Sequence, residues 1–187
     1  LLVNIKIKSI PKILCIFLLA IHLSCSGSAH HISLYQYNGI KKFKATIYRD
    51  NMGVPHIFGN TDADAVFGLA FAHAEDDFKT IQDLLMGARG MLGSEYGPKL
   101  ALVDYYVHLI GVWDDINARY DEEIPEPIKK ICEAYAAGIN EYAGKNKDKR
   151  IARLYPVNGR DIIAGFMYQL PLLYGIEKIL GELFSEQ

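Results

Sequence analysis

From residue 43 onward the chain alternates between two hydrophobic periods. Residues 42–48 switch apolar and polar at every step, which places Phe43, Ala45 and Ile47 on one face as a strand does. Arg49-Asp50-Asn51-Met52-Gly53 is turn chemistry, since Asp and Asn tolerate left-handed backbone and Gly adopts it freely. Residues 54–58 return as a second short strand, so the pair predicts a hairpin. Two strands alone are marginal in water, and this hairpin needs a sheet to join. The period then lengthens. Asn60 or Thr61 can cap a helix whose first turn carries Asp62 and Asp64, where the dipole favours acids. Phe67, Phe71, Ala74, Phe78, Ile81 and Leu85 follow at steps of four and three, one continuous apolar stripe. Glu75 and Lys79 are spaced for an ion pair on the outer face, and Gly87 and Gly90 loosen the end.

Residues 30–42 carry no period and read as a polar connector. Leu100, Val103, Val107 and Ile110 predict a second helix running on towards Tyr120. A third follows the acidic, Pro-containing break at 121–127, with Ile128, Ile131, Cys132, Tyr135, Ile139 and Tyr142 as its stripe, Pro127 in its first turn and Gly144 at its end. Residues 145–153 form a basic, solvated loop. Residues 161–174 are apolar on most sides, which suits a helix buried within a larger assembly, and Pro171 must kink it or end it. The expected fold is α+β: mostly helical, with an N-terminal hairpin. Its open strand edge and over-apolar last helix both call for further structure to cover them.

The first 29 residues differ in kind. Lys6, Lys8 and Lys12 precede an apolar run at 13–21, and small residues follow from Ser24 to Ala29, the layout of a secretory signal. The run is too short to span a bilayer as a helix. Three of the 20 basic residues and none of the 22 acidic ones lie here, so the remainder is net acidic. Leu23-Ser24-Cys25-Ser26-Gly27 resembles a bacterial lipoprotein cleavage site, with Leu two residues before the Cys where that motif has it three before. Two processing routes therefore stand open: lipidation at Cys25, or ordinary cleavage after Ala29. Either implies an exported protein, in the periplasm or anchored to a membrane as a lipoprotein. Residues 30–42 would then be a linker and 43–187 the folded body. Of the 3 cysteines only Cys132 lies in that body, so no internal disulfide is expected. Half the residues are apolar and 22% are charged, a globular composition. No basic block, aromatic–basic interleaving or zinc-finger spacing points to nucleic acid.

Local chemistry is sparse. His73, Asp76 and Asp77 fall at i, i+3 and i+4 and can converge on a metal, or can equally be the polar face of an amphipathic helix. Gly93-Ser94-Glu95-Tyr96-Gly97 lacks the symmetric glycines of a nucleophile elbow, and nothing suggests activation of Ser185. Gly53, Gly59 and Gly68 match no phosphate-loop spacing. No catalytic residue and no metal ligand is assigned from these patterns.

Several motifs in order do resemble one family. Ile47-Tyr48-Arg49-Asp50-Asn51-Met52-Gly53-Val54-Pro55-His56-Ile57 resembles the opening hairpin of penicillin acylase family proteins, which are N-terminal-nucleophile hydrolases. The run Asp64-Ala65-Val66-Phe67-Gly68-Leu69-Ala70-Phe71-Ala72-His73-Ala74-Glu75-Asp76-Asp77 resembles that family's first helix. Ala88-Arg89-Gly90 and Ala134-Tyr135-Ala136-Ala137-Gly138-Ile139-Asn140 also fit, and Gly159-Arg160-Asp161-Ile162 is similar to the acyl-homoserine-lactone and lipopeptide acylase branch. The likeness covers roughly residues 43 to 184. It implies an αββα sandwich of which this segment is a part, and a precursor (a zymogen) cut into two chains. This stretch would be the alpha subunit; a larger beta subunit would follow after a spacer and supply the nucleophile, usually a Ser whose own amine is the base. It also implies hydrolysis of a linear amide: an N-acyl-homoserine lactone, a lipopeptide or the side chain of a β-lactam antibiotic. Within this stretch it implies that Leu170 and Tyr174 line the acyl-binding cavity or pack as core against the larger subunit. No cofactor is expected. A structural calcium is held by some members, and Glu182, the nearest acid, does not align with that ligand. The rival readings are a non-catalytic exported binding lipoprotein and a small helical metal-binding module.

Overall fold

The computed structural model describes residues 29–37 and 41–185; residues 1–28, with Cys25, lie outside them. Three strands form one antiparallel sheet in the order β1-β2-β3: β1 (Ala29–Tyr37), β2 (Lys41–Arg49) and β3 (Pro55–Gly59). β2 and β3 are the expected hairpin, with Ile47 opposite Ile57 and Ala45 opposite Gly59. β1 is a departure, because residues 30–42 read as a connector. The register shifts between Ile32 and Tyr35. Such an irregularity breaks the alternation on which recognition of a strand depends. This strand is what the hairpin joins.

Helix α1 (Asp62–Ala88) lies on the sheet. Thr61 caps it by accepting the Asp64 amide, while the Asp64 side chain accepts the Lys44 amide and so ties the helix start to β2. Its stripe is buried as expected, against Phe43, Ala45 and Ile47. A Cβ at Gly68 would lie 2.7 Å from both Ala45 and Ile57, so the glycine sets the distance between helix and sheet. Short helix α2 (Leu92–Tyr96) and a 3₁₀ turn (Pro98–Leu100) follow. The expected second helix is divided into α3 (Ala101–Leu109) and α4 (Val112–Glu123), because Gly111 between them has φ +66°, outside any right-handed helix. Tyr106, Val107, Val112, Ile116 and Tyr120 of these two helices form a second, smaller core with Ala88 and Ala164.

Helix α5 (Glu126–Lys145) packs closely on α1. A Cβ at Gly138 would clash with the Phe67 carbonyl oxygen and sit 2.7 Å from Ala70 Cβ. Phe71, Phe78 and Tyr142 lock the pair through edge-on ring contacts at 5.5 and 4.9 Å. Helix α6 (Gly159–Leu173) packs on both, with Pro171 just before its end. A further helix, α7 (Ile176–Ser185), completes the described chain.

Candidate functional site

The motifs noted in the sequence meet in pairs. Arg49, at the end of β2, donates to the Gly53 carbonyl across the turn at 2.8 Å and to the Ala72 carbonyl of α1 at 3.3 Å. It also pairs with Glu75 at 3.2 Å and Asp76 at 2.9 Å. The hairpin motif and the first-helix motif are thus two halves of one joint. Asp50 shapes the turn by accepting the Met52 and Val54 amides at 2.8 and 3.0 Å, with His56 at 3.3 Å. These bonds, that from Val54 foremost, hold its carboxyl below the ordinary range. The expected Glu75–Lys79 pair is absent because Glu75 turns to Arg49, and Lys79 pairs with Asp83.

The His73, Asp76, Asp77 triad is dispersed. His73 Nδ1 lies 2.6 Å from the Tyr135 hydroxyl, Asp76 faces Arg49, and Asp77 leaves helical geometry and accepts the Thr80 amide. Among the described residues no group of three His, Cys, Asp or Glu side chains is arranged to hold a metal ion.

A second joint unites Ala88-Arg89-Gly90 with Gly159-Arg160-Asp161-Ile162. Arg89 Nε and Nη2 donate to the two oxygens of Asp161 at 2.7 and 2.8 Å, and Nη1 donates to the Leu154 carbonyl at 2.7 Å. Asp161 is 2% exposed and also accepts the Asn158 amide, closing a capping box at the start of α6. Glu133 of α5 accepts the Gly159 amide at 3.0 Å. Arg160 grips Asp121 with two bonds and covers the Tyr120 ring at 4.6 Å. Burial, then the Glu133 carboxylate, pushes the Tyr120 phenol up to about 12.

The roles of two amide side chains escaped the sequence reading. Gln82 donates to the Lys149 carbonyl and accepts the Ile151 amide; Asn140 donates to the Val157 carbonyl and accepts the Val157 amide. Each sits beside an apolar stripe residue, Ile81 or Ile139. A polar residue flanking a stripe was the available signal, and spacing alone does not tell a buried amide from a solvated one.

All these groups hold elements together. Part of the surface left open is apolar. Leu170 and Tyr174 are open on this chain: Leu170 is 49% exposed and Tyr174, at the end of α6, is 87% exposed. Phe166, one turn before Leu170, is 61% exposed. Beside this row a cleft of about 430 Å³ opens between α1, α5 and α6. Its floor includes Ile81, Leu85 and Ile139, its rim Leu69 and Phe166, and its polar end the His73–Tyr135 pair. Among the described residues no helix is long and apolar enough to cross a membrane.

The profile of the penicillin amidase family matches residues 44–180, a stretch that holds both joints and the whole of α6. The chain belongs to the penicillin amidase family. Over 104 residues it is 30% identical to acyl-homoserine lactone acylase QuiP of Pseudomonas fluorescens Pf0-1, covering 56% of this chain and 13% of that protein. Over 122 residues it is 28% identical to QuiP of Pseudomonas aeruginosa PAO1, covering 63% and 14%. Penicillin acylase 2 proenzyme of Pseudomonas sp. SE83 is 30% identical over 96 residues, 51% of this chain and 12% of that proenzyme. The chain therefore aligns with only about an eighth of the length of these curated relatives. Thermostable penicillin G acylase from Alcaligenes faecalis superposes with a TM-score of 0.57 at 18% identity, over 67% of this chain and 71% of that one. The chain thus shares that structure's fold over the matched stretch, a mostly helical α+β arrangement, with a three-stranded sheet where the hairpin was expected.

Proposed function

We propose that this penicillin amidase family chain forms the smaller part of an enzyme that hydrolyses linear amides, releasing a carboxylic acid and an amine. The family match across residues 44–180 carries this reading. Ser94 Oγ donates to the Met91 carbonyl at 2.7 Å rather than to a base. The nucleophile belongs on a larger subunit cut from the same precursor, with its terminal amine as base; an amine of ordinary pKa near 8 suits that role. The exposed apolar row of α6 supports such a partner, since a face of this kind is ordinarily covered. In this reading Leu170 and Tyr174 form one wall of the acyl cavity. The substrate joins an apolar acyl group to its leaving amine through a secondary amide, as N-acyl-homoserine lactones, lipopeptides and acylated β-lactams do. The leader supports export, either to the periplasm or as a lipoprotein anchored through Cys25.

The test is to express the complete precursor and assay release of free acid from acyl amides of these three kinds. Two chains on a denaturing gel and turnover of at least one substrate are expected. Tyr174→Ala should redistribute kcat/KM among acyl groups, because one methylene in such a pocket is worth roughly 1–3 kcal/mol of discrimination. A folded, processed protein with no turnover on any linear amide would end the reading. A flat acyl preference with a lowered melting temperature would make Tyr174 a packing residue.

A further inference from the structure

We propose that the cleft between α1, α5 and α6 is a second apolar subsite, which takes the distal end of a long uncharged acyl chain whose proximal end lies on Leu170 and Tyr174. This rests on the amide-hydrolase reading above and adds a place for the substrate's tail. Phe166 connects the two regions. It stands four and eight residues before Leu170 and Tyr174, along one row of α6, and it also forms part of the cleft rim. At 1.5 Å per residue that row is about 12 Å long, within the reach of an extended alkyl chain. The volume of about 430 Å³ falls in the ordinary range for small-molecule sites.

The lining decides the chemistry. It contains no Lys, Arg, Asp or Glu, so no charge awaits a carboxylate or an ammonium group. Its polar end is already satisfied, with His73 and Tyr135 bonded to each other at 2.6 Å. Gln169 adds one uncharged amide on the exposed side, and the rest of the lining suits methylenes. Gly165 keeps the α6 wall open. A Cβ there would make only an ordinary 3.6 Å contact with Leu84, so close packing does not require the glycine, and glycine inside a helix costs stability. Its one visible consequence is room in the cleft.

The test uses the assembled enzyme and a homologous series of straight-chain acyl amides, read as the ratio of kcat/KM for long over short chains. Each buried methylene should raise kcat/KM roughly fourfold until the cleft is filled. Gly165→Leu, which grows a side chain into the cleft, should lower the long-to-short ratio about tenfold or more, and Gly165→Ala should do so less. Leu69→Glu places a carboxylate on the exposed rim, where folding should tolerate it, and should also lower the ratio. A fall with Leu69→Glu supports the subsite even if Gly165→Leu does not assemble. If both ratios hold while Tyr174→Ala shifts acyl preference, the subsite is wrong and the acyl wall stands. If all three are flat, both fall. If Gly165→Leu blocks assembly of the two chains while Leu69→Glu leaves the ratio unchanged, the partner subunit fills the cleft and the proposal is overturned.

Discussion

Asp161 is the residue on which most of the α6 geometry depends. It faces Arg89 with both oxygens, caps its own helix and is almost wholly buried. Removing one member of a buried pair leaves the other charge uncompensated, at roughly 3–5 kcal/mol. Arg89 keeps about a fifth of its side chain in solvent, so Asp161→Ala should fall at the lower end, about 3 kcal/mol by chemical denaturation of the assembled protein. Asp161→Asn should cost less, because it can still accept the Asn158 amide. Equal losses for the two would mean that the charge carries the whole effect and the retained acceptor adds nothing. The sequence displayed Arg89 and Asp161 only as members of two separate motifs. Their 72-residue separation hides the pairing from any local pattern. The same blindness explains Glu75, whose neighbour Lys79 was a reasonable partner until a distant arginine arrived.

At the scale of the element, periodicity was a good guide wherever a helix kept one face inward throughout. The stripe of α1 is buried as the spacing requires, whereas that of α5 is buried only at Cys132, Ile139 and Tyr142, with Ile131 and Tyr135 half-buried and Ile128 47% exposed. It was a poor guide where the period continued across a change of backbone. Gly111 divides α3 from α4 although apolar residues flank it at helical intervals, and a shift of register concealed β1. The small residues were legible as motif letters but not as distances. Gly138 shows the difference, since α5 meets α1 where it has no side chain. Gly138→Ala improves helix propensity, yet it should destabilise the protein by about 1–3 kcal/mol through overpacking. Thermal denaturation checks this: a raised melting temperature would mean that the helices separate without loss. The site was the least legible part. Leu170 and Tyr174 came from resemblance, and the cleft exists only once three helices meet.

For the whole molecule, the buried phenols set a limit on the alkaline side. Burial raises Tyr106, Tyr135, Tyr155 and Tyr168 as it raises Tyr120, the last to about 12. A phenol titrating near 10 when unfolded and higher when folded stabilises the fold fully below about 10. That contribution is lost as pH rises through the folded value, because the unfolded chain ionises first. Circular dichroism and tyrosinate absorbance should therefore change together between pH 10 and about 12. Tyrosinate absorbance complete near 10 with the helices intact would contradict the burial. The clamps made by Gln82 and Asn140 have a kinetic consequence. The Ile151 and Val157 amides lie in the connection between α5 and α6, where solvent exchange is ordinarily fast. Here each hydrogen is held by a side-chain oxygen, one from α1 and one from α5. In deuterium both should exchange slowly against their neighbours, and each should report the opening of a different helix. Two isolated loop amides would then serve as separate clocks for the bundle.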